Sequence, residues 1–337
     1  MSKRELIIVM AVVTGVLMMG CDSETTVAEA PRHQGPYLGQ DPPGLEPRLY
    51  APGLISTSLH DDGPPKFSPD GTEVYFRKWA VPHDIIGHMR QISGTWTAPA
   101  QFAVFGRYLV GAPCFKPDGS GAYFLSRRPR SGEGEPDDYN IWYADRTAAG
   151  WGDLTYLDEP VNTMDNDYIW SVASDGTMYL QGNYEGGQGG YDIWISEMVD
   201  GVHQAAVNAG PPLNTEHVES APFVAPDESF IVFCSYGRDD VLGSIDLYVS
   251  FRDAEGGWGP GINLGPTVNS EQSDKFPALS PDGKYLFFVS GRGADRSYVQ
   301  SGQTYDELMA INKGPGNGMG DDVYWVSAQV IENVRPD

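Results

Sequence analysis

A short turn motif that recurs five times along the chain constrains its fold more than any other sequence feature. Each copy matches Ser-Pro-Asp-Gly fully or in part and is followed by a run of aromatic and β-branched residues, the composition of a β-strand. The copies end on Asp70-Gly71, Asp118-Gly119, Asp175-Gly176, Asp227-Glu228 and Asp282-Gly283. Proline and glycine favour the backbone of a tight turn, and the Asp side chain accepts hydrogen bonds from nearby amides. Each copy therefore predicts a β-hairpin.

The rest of each repeat predicts two more strands. One begins with Asp or Asn, at positions 84, 140, 192, 246 and 322, and a Pro- or Leu-containing stretch further on predicts the fourth. The Asp residues of the turns are 48, 57, 52 and 55 residues apart. Four antiparallel strands in about 50 residues are typical of a propeller blade, which is stable only against its neighbours. We therefore predict an all-β fold, a β-propeller of four-stranded antiparallel blades.

The two ends of the repeat array predict the blade number and the closure of the ring. Five turns predict five blades, with six as the alternative. Residues 48–57 resemble the fourth strand at 257–264, yet they precede the first turn. We expect this N-terminal strand to complete the last blade, because closure removes exposed sheet edges.

The N-terminus predicts export and a lipid anchor. Lys3 and Arg4 precede an uncharged run of 14 residues, which is shorter than the roughly 20 that a membrane-spanning helix needs. The segment ending in Gly20-Cys21 resembles a bacterial lipobox, with an ordinary secretory signal and an incidental cysteine as the alternative. We therefore predict a lipoprotein signal peptide at 1–20, a lipidated Cys21 with a polar tether at 21–45, and one propeller domain at 46–337. This predicts a membrane-anchored lipoprotein of the bacterial cell envelope, facing the periplasm or the exterior.

Charge and cysteine content limit the partners. With 22 Lys and Arg against 46 Asp and Glu, the net charge is −24, which excludes a broad phosphate-binding surface and hence nucleic acid. Three cysteines cannot form a disulfide framework, and Cys114 and Cys234 are expected as buried thiols. Besides the membrane, the partners expected are an envelope protein or a glycan, and we expect a monomer.

The Ser-Pro-Asp-Gly turn followed by an aromatic strand resembles the WD40-like β-propeller repeats of the TolB type. The resemblance covers about residues 46–334, and it includes the entrance at 43–53 and the ending at 322–328. Departures from the pattern include Ala173-Ser174 in place of Ser-Pro and Glu228 in place of Gly. The resemblance implies binding rather than catalysis, as in exported bacterial members without assigned activity.

Acidic and histidine side chains recur in the connections that lead into the first strand of each blade. Such connections lie at the mouth of a propeller's central channel, so their side chains are candidates for a ligand or cation ring. Calcium is the cation that clustered oxygen ligands favour, and solvated loop charges are the alternative. The candidate ring consists of His60, Asp62, Asp167, His217, Glu219 and Asp274.

Repeated polar residues elsewhere predict structural roles. Asp192, Asp246 and Asp322 begin equivalent strands, so we expect them to accept hydrogen bonds from backbone amides in successive blades. Arg127, Arg238 and Arg292 also recur, and pairing with the acidic connections is expected. An insertion between Gly293 and Gly320 predicts a short helix, either a lid or a cap.

Catalytic motifs are missing from the sequence. It contains no Gly-x-Ser-x-Gly, no His-Glu-x-x-His and no Cys-x-x-Cys. We therefore predict a non-catalytic binding or scaffolding module for a protein, glycan or cation. The alternative is a glycan-processing hydrolase with two or three acids in the central funnel. Tyr168, Trp170 and Tyr236 are candidates for stacking on sugars, with packing in the core as the alternative for these strand aromatics.

Overall fold

Five antiparallel sheets form the fold, which we describe from a computed structural model. The structure describes residues 33–57, 63–79, 85–102, 108, 111–132, 134–135, 138–163, 165–293, 304 and 320–336. The predicted signal peptide and Cys21, the ring candidates His60 and Asp62, and nearly all of the 293–320 insertion lie outside the described residues.

The strands follow one another along the chain blade by blade, with one exception at the start. The first, β1 (Arg48–Leu49), belongs to the last blade. Blade 1 contains β2 (Lys66–Phe67), β3 (Glu73–Lys78), β4 (Ile85–Ile92), β5 (Thr95–Trp96) and β6 (Ala100–Gln101). Blade 2 contains β7 (Cys114–Phe115), β8 (Gly121–Ser126), β9 (Asn140–Thr147), β10 (Gly150–Trp151) and β11 (Thr155–Tyr156).

Blades 3 to 5 have the same order, with the innermost strand first. Blade 3 contains β12 (Tyr168–Val172), β13 (Met178–Gly182), β14 (Asp192–Ser196), a hairpin of β15 (Met198–Val199) and β16 (Val202–His203), and β17 (Val207–Asn208). Blade 4 contains β18 (Val218–Val224), β19 (Phe230–Tyr236), β20 (Asp246–Phe251) and β21 (Ile262–Asn263). Blade 5 contains β22 (Asp274–Leu279), β23 (Tyr285–Ser290), β24 (Asp322–Ser327) and β1.

The repeated turn connects the first two strands of each blade, as predicted. In blade 1, the Gly71 amide donates to the Ser68 carbonyl at 2.8 Å, and Gly71 has a φ of 70°. The Asp70 carboxylate accepts from the Ser68 hydroxyl at 2.6 Å and from the Thr72 amide at 3.0 Å. In blade 4, Glu228 replaces the glycine and still adopts a positive φ of 58°, so that turn carries backbone strain.

Five hydrophobic clusters lie between the blades, one at each interface around the ring. Because side chains alternate along a strand, the second strand of a blade supplies both of its interfaces. In blade 1, Tyr75 packs against blade 2, whereas Val74 and Phe76 pack against blade 5. The other three clusters join blades 2 and 3, blades 3 and 4, and blades 4 and 5. Five sheets with five packed interfaces make a closed five-bladed β-propeller, so the prediction of five blades is confirmed and six is excluded.

The N-terminal strand closes the ring on blade 5, as predicted. In β1, Arg48 and Leu49 pair with Trp325 and Tyr324 of β24. The Tyr50 amide then donates to the Val323 carbonyl at 2.8 Å. The last blade therefore takes strands from both ends of the array.

Short segments flank the ring at both ends. A 3-10 turn at Pro36–Gly39 places Leu38 in the cluster between blades 1 and 5, so packed residues precede Glu46. A four-residue helix, α1 (Gln329–Glu332), buries Val330 and Ile331 against blades 4 and 5. Within the described residues, no helix has the length and apolar character to span a membrane.

Candidate functional site

Three connections between blades share one hydrogen-bonded motif. In each, an Asn is followed by Thr or Ser and, four residues after that, by Asp or Glu. The Asn214 side chain accepts from the Ile193 amide at 3.0 Å and donates to the Ile193 carbonyl at 2.8 Å, which fixes the connection to β14. The same pair of bonds joins Asn162 to Ile141 and Asn269 to Leu247.

Glu219 and Asp274 are fully buried acceptors within this motif. Glu219 accepts from the Thr215 amide at 2.9 Å, from the Thr215 hydroxyl at 2.7 Å and from Arg238 Nη2 at 2.7 Å. Asp274 has the same arrangement, with Arg292 Nη2 at 2.7 Å. These pairs confirm the structural role predicted for Arg238 and Arg292.

Asp167 has the equivalent place in blade 3, where a tyrosine replaces the arginine. The buried carboxylate accepts from the Thr163 amide at 2.7 Å and from the Tyr184 hydroxyl at 2.7 Å. Burial raises the pKa of Asp167, although the hydrogen bonds from Tyr184 and Thr163 act in the opposite direction. No cation faces this carboxylate among its described hydrogen-bond partners.

The described members of the candidate ring are not gathered into one site. Asp167, Glu219 and Asp274 each serve a different connection, and His217 is half-buried with its amide donating to the Thr215 hydroxyl at 3.2 Å. Within the described part of the chain, no group of three or more His, Cys, Asp or Glu side chains is arranged to hold a metal ion. The calcium ring therefore stays a prediction that includes the undescribed His60 and Asp62.

Asp192 and Asp246, at the starts of equivalent strands, accept backbone hydrogen bonds, as predicted, whereas for Asp322 this stays a prediction. Asp192 accepts from the Gln188 and Gly189 amides at 2.6 and 3.3 Å. Asp246 accepts from the Leu242 and Gly243 amides at 2.7 and 3.1 Å. These carboxylates hold the loop before the third strand in blades 3 and 4.

An aromatic cavity of about 460 Å³ opens on one face of the ring, and we call it the upper funnel. All five innermost strands or the segments that lead into them contribute to its wall, so it lies on the axis of the propeller. Its size falls within the range of about 300–1,000 Å³ that is usual for small-ligand pockets. The aromatic side chains in its lining are Trp79, Tyr123, Tyr139, Tyr168, Trp170, Tyr191, Tyr236 and Phe276.

The rim of the upper funnel exposes flat aromatic surface. Trp79 is 51% exposed, Tyr236 46% and Tyr191 37%. Tyr168 contacts Tyr139 with ring centroids 5.2 Å apart and Tyr191 at 6.2 Å. Exposed rings on three blades around one opening are the arrangement expected of a binding surface for flat ligand faces.

Backbone irregularities direct two rings toward the axis. The pairing of β12 with β13 shifts register between Ile169 and Ser171, and that of β22 with β23 shifts between Lys275 and Ala278. Such bulges change the direction of a side chain. Trp170 and Phe276 lie at these shifts and stack at 5.4 Å with an interplanar angle of 14°.

The charged side chains in the described lining of the upper funnel are all basic. Its described lining contains Lys66, Arg77 and Lys275 and no Asp or Glu. The Lys275 ammonium pairs with Asp321 at 2.5 Å, and the Arg77 guanidinium lies over the Trp79 ring at 4.5 Å. A water-poor cleft lined by one sign of charge attracts ligands of the other sign.

A second cavity of about 580 Å³, the lower chamber, opens on the opposite face. Residues of all five repeated turns line it, including Pro69, Pro117, Ser174, Pro226 and Pro281. The linings of the two cavities share Lys66, Cys114 and Trp170, which we call the waist.

The sequence identified part of this site. Tyr168, Trp170 and Tyr236, the candidates for stacking on sugars, all line the upper funnel. It missed Lys66, although a signal was present: the residues at its place in the other four repeats are uncharged, namely Cys114, Ser171, Phe223 and Ala278. The free thiols Cys114 and Cys234 are buried, as predicted.

Protein-family models do not match this chain, and a comparison with curated proteins gives no match either. Solved structures of similar fold include a putative TolB from Agrobacterium tumefaciens, with 16% identity, a TM-score of 0.45, and coverage of 68% of this chain and 70% of that one. TolB from Acinetobacter baumannii has 14% identity, a TM-score of 0.46, and coverage of 80% and 57%. The catalytic domain of a Coprinopsis cinerea GH62 α-L-arabinofuranosidase has 11% identity, a TM-score of 0.46, and coverage of 85% and 98%.

These similarities concern the fold alone, and they include both TolB proteins and a glycoside hydrolase. The chain is a five-bladed β-propeller, a class that its own sheet order and interfaces define. TolB proteins are among the structures to which it is similar. The similarities do not decide between binding and hydrolysis.

Proposed function

We propose that this protein is a non-catalytic binding module whose ligand, a glycan, occupies the upper funnel. The observation that carries the proposal is a cavity of ligand size whose described wall combines eight aromatic side chains with three cations and no carboxylate. Aromatic faces stack on the apolar faces of sugar rings, and the Tyr hydroxyls and the Gln181 amide supply hydrogen-bonding groups for sugar hydroxyls.

The composition of the wall favours binding over hydrolysis. Most glycosidases need two carboxyl groups, about 5–9.5 Å apart, on either side of the bond that they cleave. The described lining of the upper funnel contains no carboxyl group. The nearby buried acids Asp167, Glu219 and Asp274 already accept hydrogen bonds from other groups of the chain.

The experiment is a binding assay of the full-length chain, in detergent, on an array of neutral and acidic glycans. We expect Tyr236→Ala to weaken binding of the selected glycan at least tenfold, because an exposed rim ring contributes contact and little stability. Val207→Ala is the control, since Val207 is 67% exposed on the outer strand β17, away from the funnel. Absence of glycan binding, or equal loss in both variants, would contradict the proposal.

The cell envelope is the location that we propose for this module. The support is the basic and apolar N-terminus that ends in Cys21. Labelling cells with a radioactive fatty acid tests it: the wild-type chain should be labelled and Cys21→Ser should not. Equal labelling of both would reject the anchor and leave glycan binding untouched.

A further inference from the structure

The waist is where a ligand that fills the upper funnel would end. Lys66, Cys114 and Trp170 line both cavities, so they separate the funnel from the lower chamber. Lys66 and Cys114 belong to the innermost strands of blades 1 and 2, and Trp170 belongs to that of blade 3. Three adjacent blades thus supply the end wall of the site.

Lys66 is a cation without an acidic partner among the described residues. Its Nζ lies 5.9 Å from the centroid of the Phe223 ring, and no described carboxylate pairs with it. Burial lowers the pKa of Lys66, although the neighbouring Cys114 acts in the opposite direction. A charge held among apolar groups is costly unless an opposite charge accompanies it.

The other two members of the waist, Trp170 and Cys114, add no charge to it. The Trp170 Nε1–H is buried and has no acceptor among the described residues. Burial raises the pKa of the Cys114 thiol to about 11, so this side chain is neutral at pH 7 and does not compensate Lys66. The waist therefore combines one positive charge with a neutral thiol, and the Trp170 Nε1–H remains without an acceptor in its wall.

We propose that the waist binds a carboxylate of the ligand, and that the ligand is an acidic oligosaccharide with a uronic acid residue at this end. A single ammonium group matches the single negative charge of a carboxylate. A phosphate dianion would favour a cluster of arginines, and the described waist has none. This inference rests on the proposed function, since the sugar rings are held by the funnel wall above.

Calorimetric titration of the full-length chain with tri-galacturonic acid, and with its methyl ester, tests the inference at pH 7. The ester keeps the rings and hydroxyls and removes the charges. We expect the acid to bind at least tenfold more tightly than the ester. Lys66→Met should remove this preference by weakening acid binding at least tenfold, with ester binding unchanged.

Lys284→Met is the matched control, because Lys284 is an exposed lysine on a hairpin turn, outside the funnel lining, and its loss should leave both affinities unchanged. Equal affinity of the wild-type chain for acid and ester would overturn the inference, and this comparison needs no variant to fold. Unchanged acid affinity in a folded Lys66→Met would also overturn it. If neither probe binds to a chain that binds other glycans, the carboxylate inference fails and the proposed function stands, whereas failure to bind any glycan rejects both.

Discussion

At the scale of single residues, a buried charge in this ring has one of two roles, depending on whether an opposite charge pairs with it. Glu219 is a fully buried carboxylate with Arg238 at 2.7 Å and a threonine that donates twice, so its charge serves the fold. Lys66 has no such partner among the described residues, and its pKa is lowered by burial. Paired charges such as that of Glu219 thus hold the connections between blades in place, whereas the unpaired charge of Lys66 marks the candidate site.

Glu73 allows a prediction about pH. Burial opposes ionisation, but the nearby His88 ring at 3.7 Å and the hydrogen bonds from Arg146 and Tyr75 outweigh it and lower the pKa of Glu73 from 4.5 to about 2. The ionised form is therefore more favourable in the folded state. Its contribution to the free energy of unfolding is complete above about pH 4.5 and is lost as the pH falls toward 2.

We expect Glu73→Gln to lower the free energy of unfolding by about 1–3 kcal/mol at pH 7, because Arg146 loses a charged partner. The difference from wild type should shrink as the pH falls from 5 to 2, measured by urea denaturation. Asp158→Asn, at an exposed pair with Arg130, is the control and should cost less than about 1 kcal/mol. A difference that is constant with pH would contradict the assignment of the low pKa.

At the scale of elements, the blades reuse a few local solutions. The turn Asp closes the first hairpin in all five blades, the strand-start Asp holds the loop before the third strand in blades 3 and 4, and the connection Asn fixes the chain as it leaves blades 2, 3 and 4. Glu73 on β3 and Arg146 on β9 add an ion pair between blades 1 and 2 at 2.5 Å. These bonds are local or join neighbouring blades, so one blade can vary without disturbing the others. Blade 3 is an example, because Tyr184 takes the place that an arginine has in blades 4 and 5.

At the scale of the whole molecule, closure by β1 makes the ring one unit. Tyr50 follows β1 and is fully buried, with its ring 4.9 Å from that of Phe287 and 5.1 Å from that of Trp325. Its hydroxyl has no hydrogen-bond partner among the described residues. The ring of Tyr50, and not its hydroxyl, therefore stabilises the closure.

We expect Tyr50→Ala to lower the free energy of unfolding by about 3–5 kcal/mol, since it leaves a cavity at the junction of the two chain ends. Tyr50→Phe should be neutral or stabilising, because a buried hydroxyl without a partner costs free energy. Hydrogen exchange should show faster exchange in β24 of Tyr50→Ala than in the blade 3 strands. Uniform acceleration around the ring, or a cost for Tyr50→Phe equal to that for Tyr50→Ala, would contradict this account.

Patterns along the chain were enough to predict the blade number, the turns, the closing strand and the structural Asp residues. These features depend on local turn chemistry and on the spacing of repeats, both of which are visible in one sequence. Three of the funnel aromatics were also predicted: Tyr168 and Trp170 lie on the first strand of blade 3, and Tyr236 ends the second strand of blade 4.

Packing in three dimensions, by contrast, selects the side chains that face the axis. Asp167, Glu219 and Asp274 occur in connections that looked open, but each is buried by donors that approach from the same connection and from the next strand. Lys66 and Trp170 look like ordinary strand residues until the register shifts and the ring of five sheets place them together. Access to the channel depends on contacts between segments that are distant in the chain, and no local pattern in the sequence records those contacts.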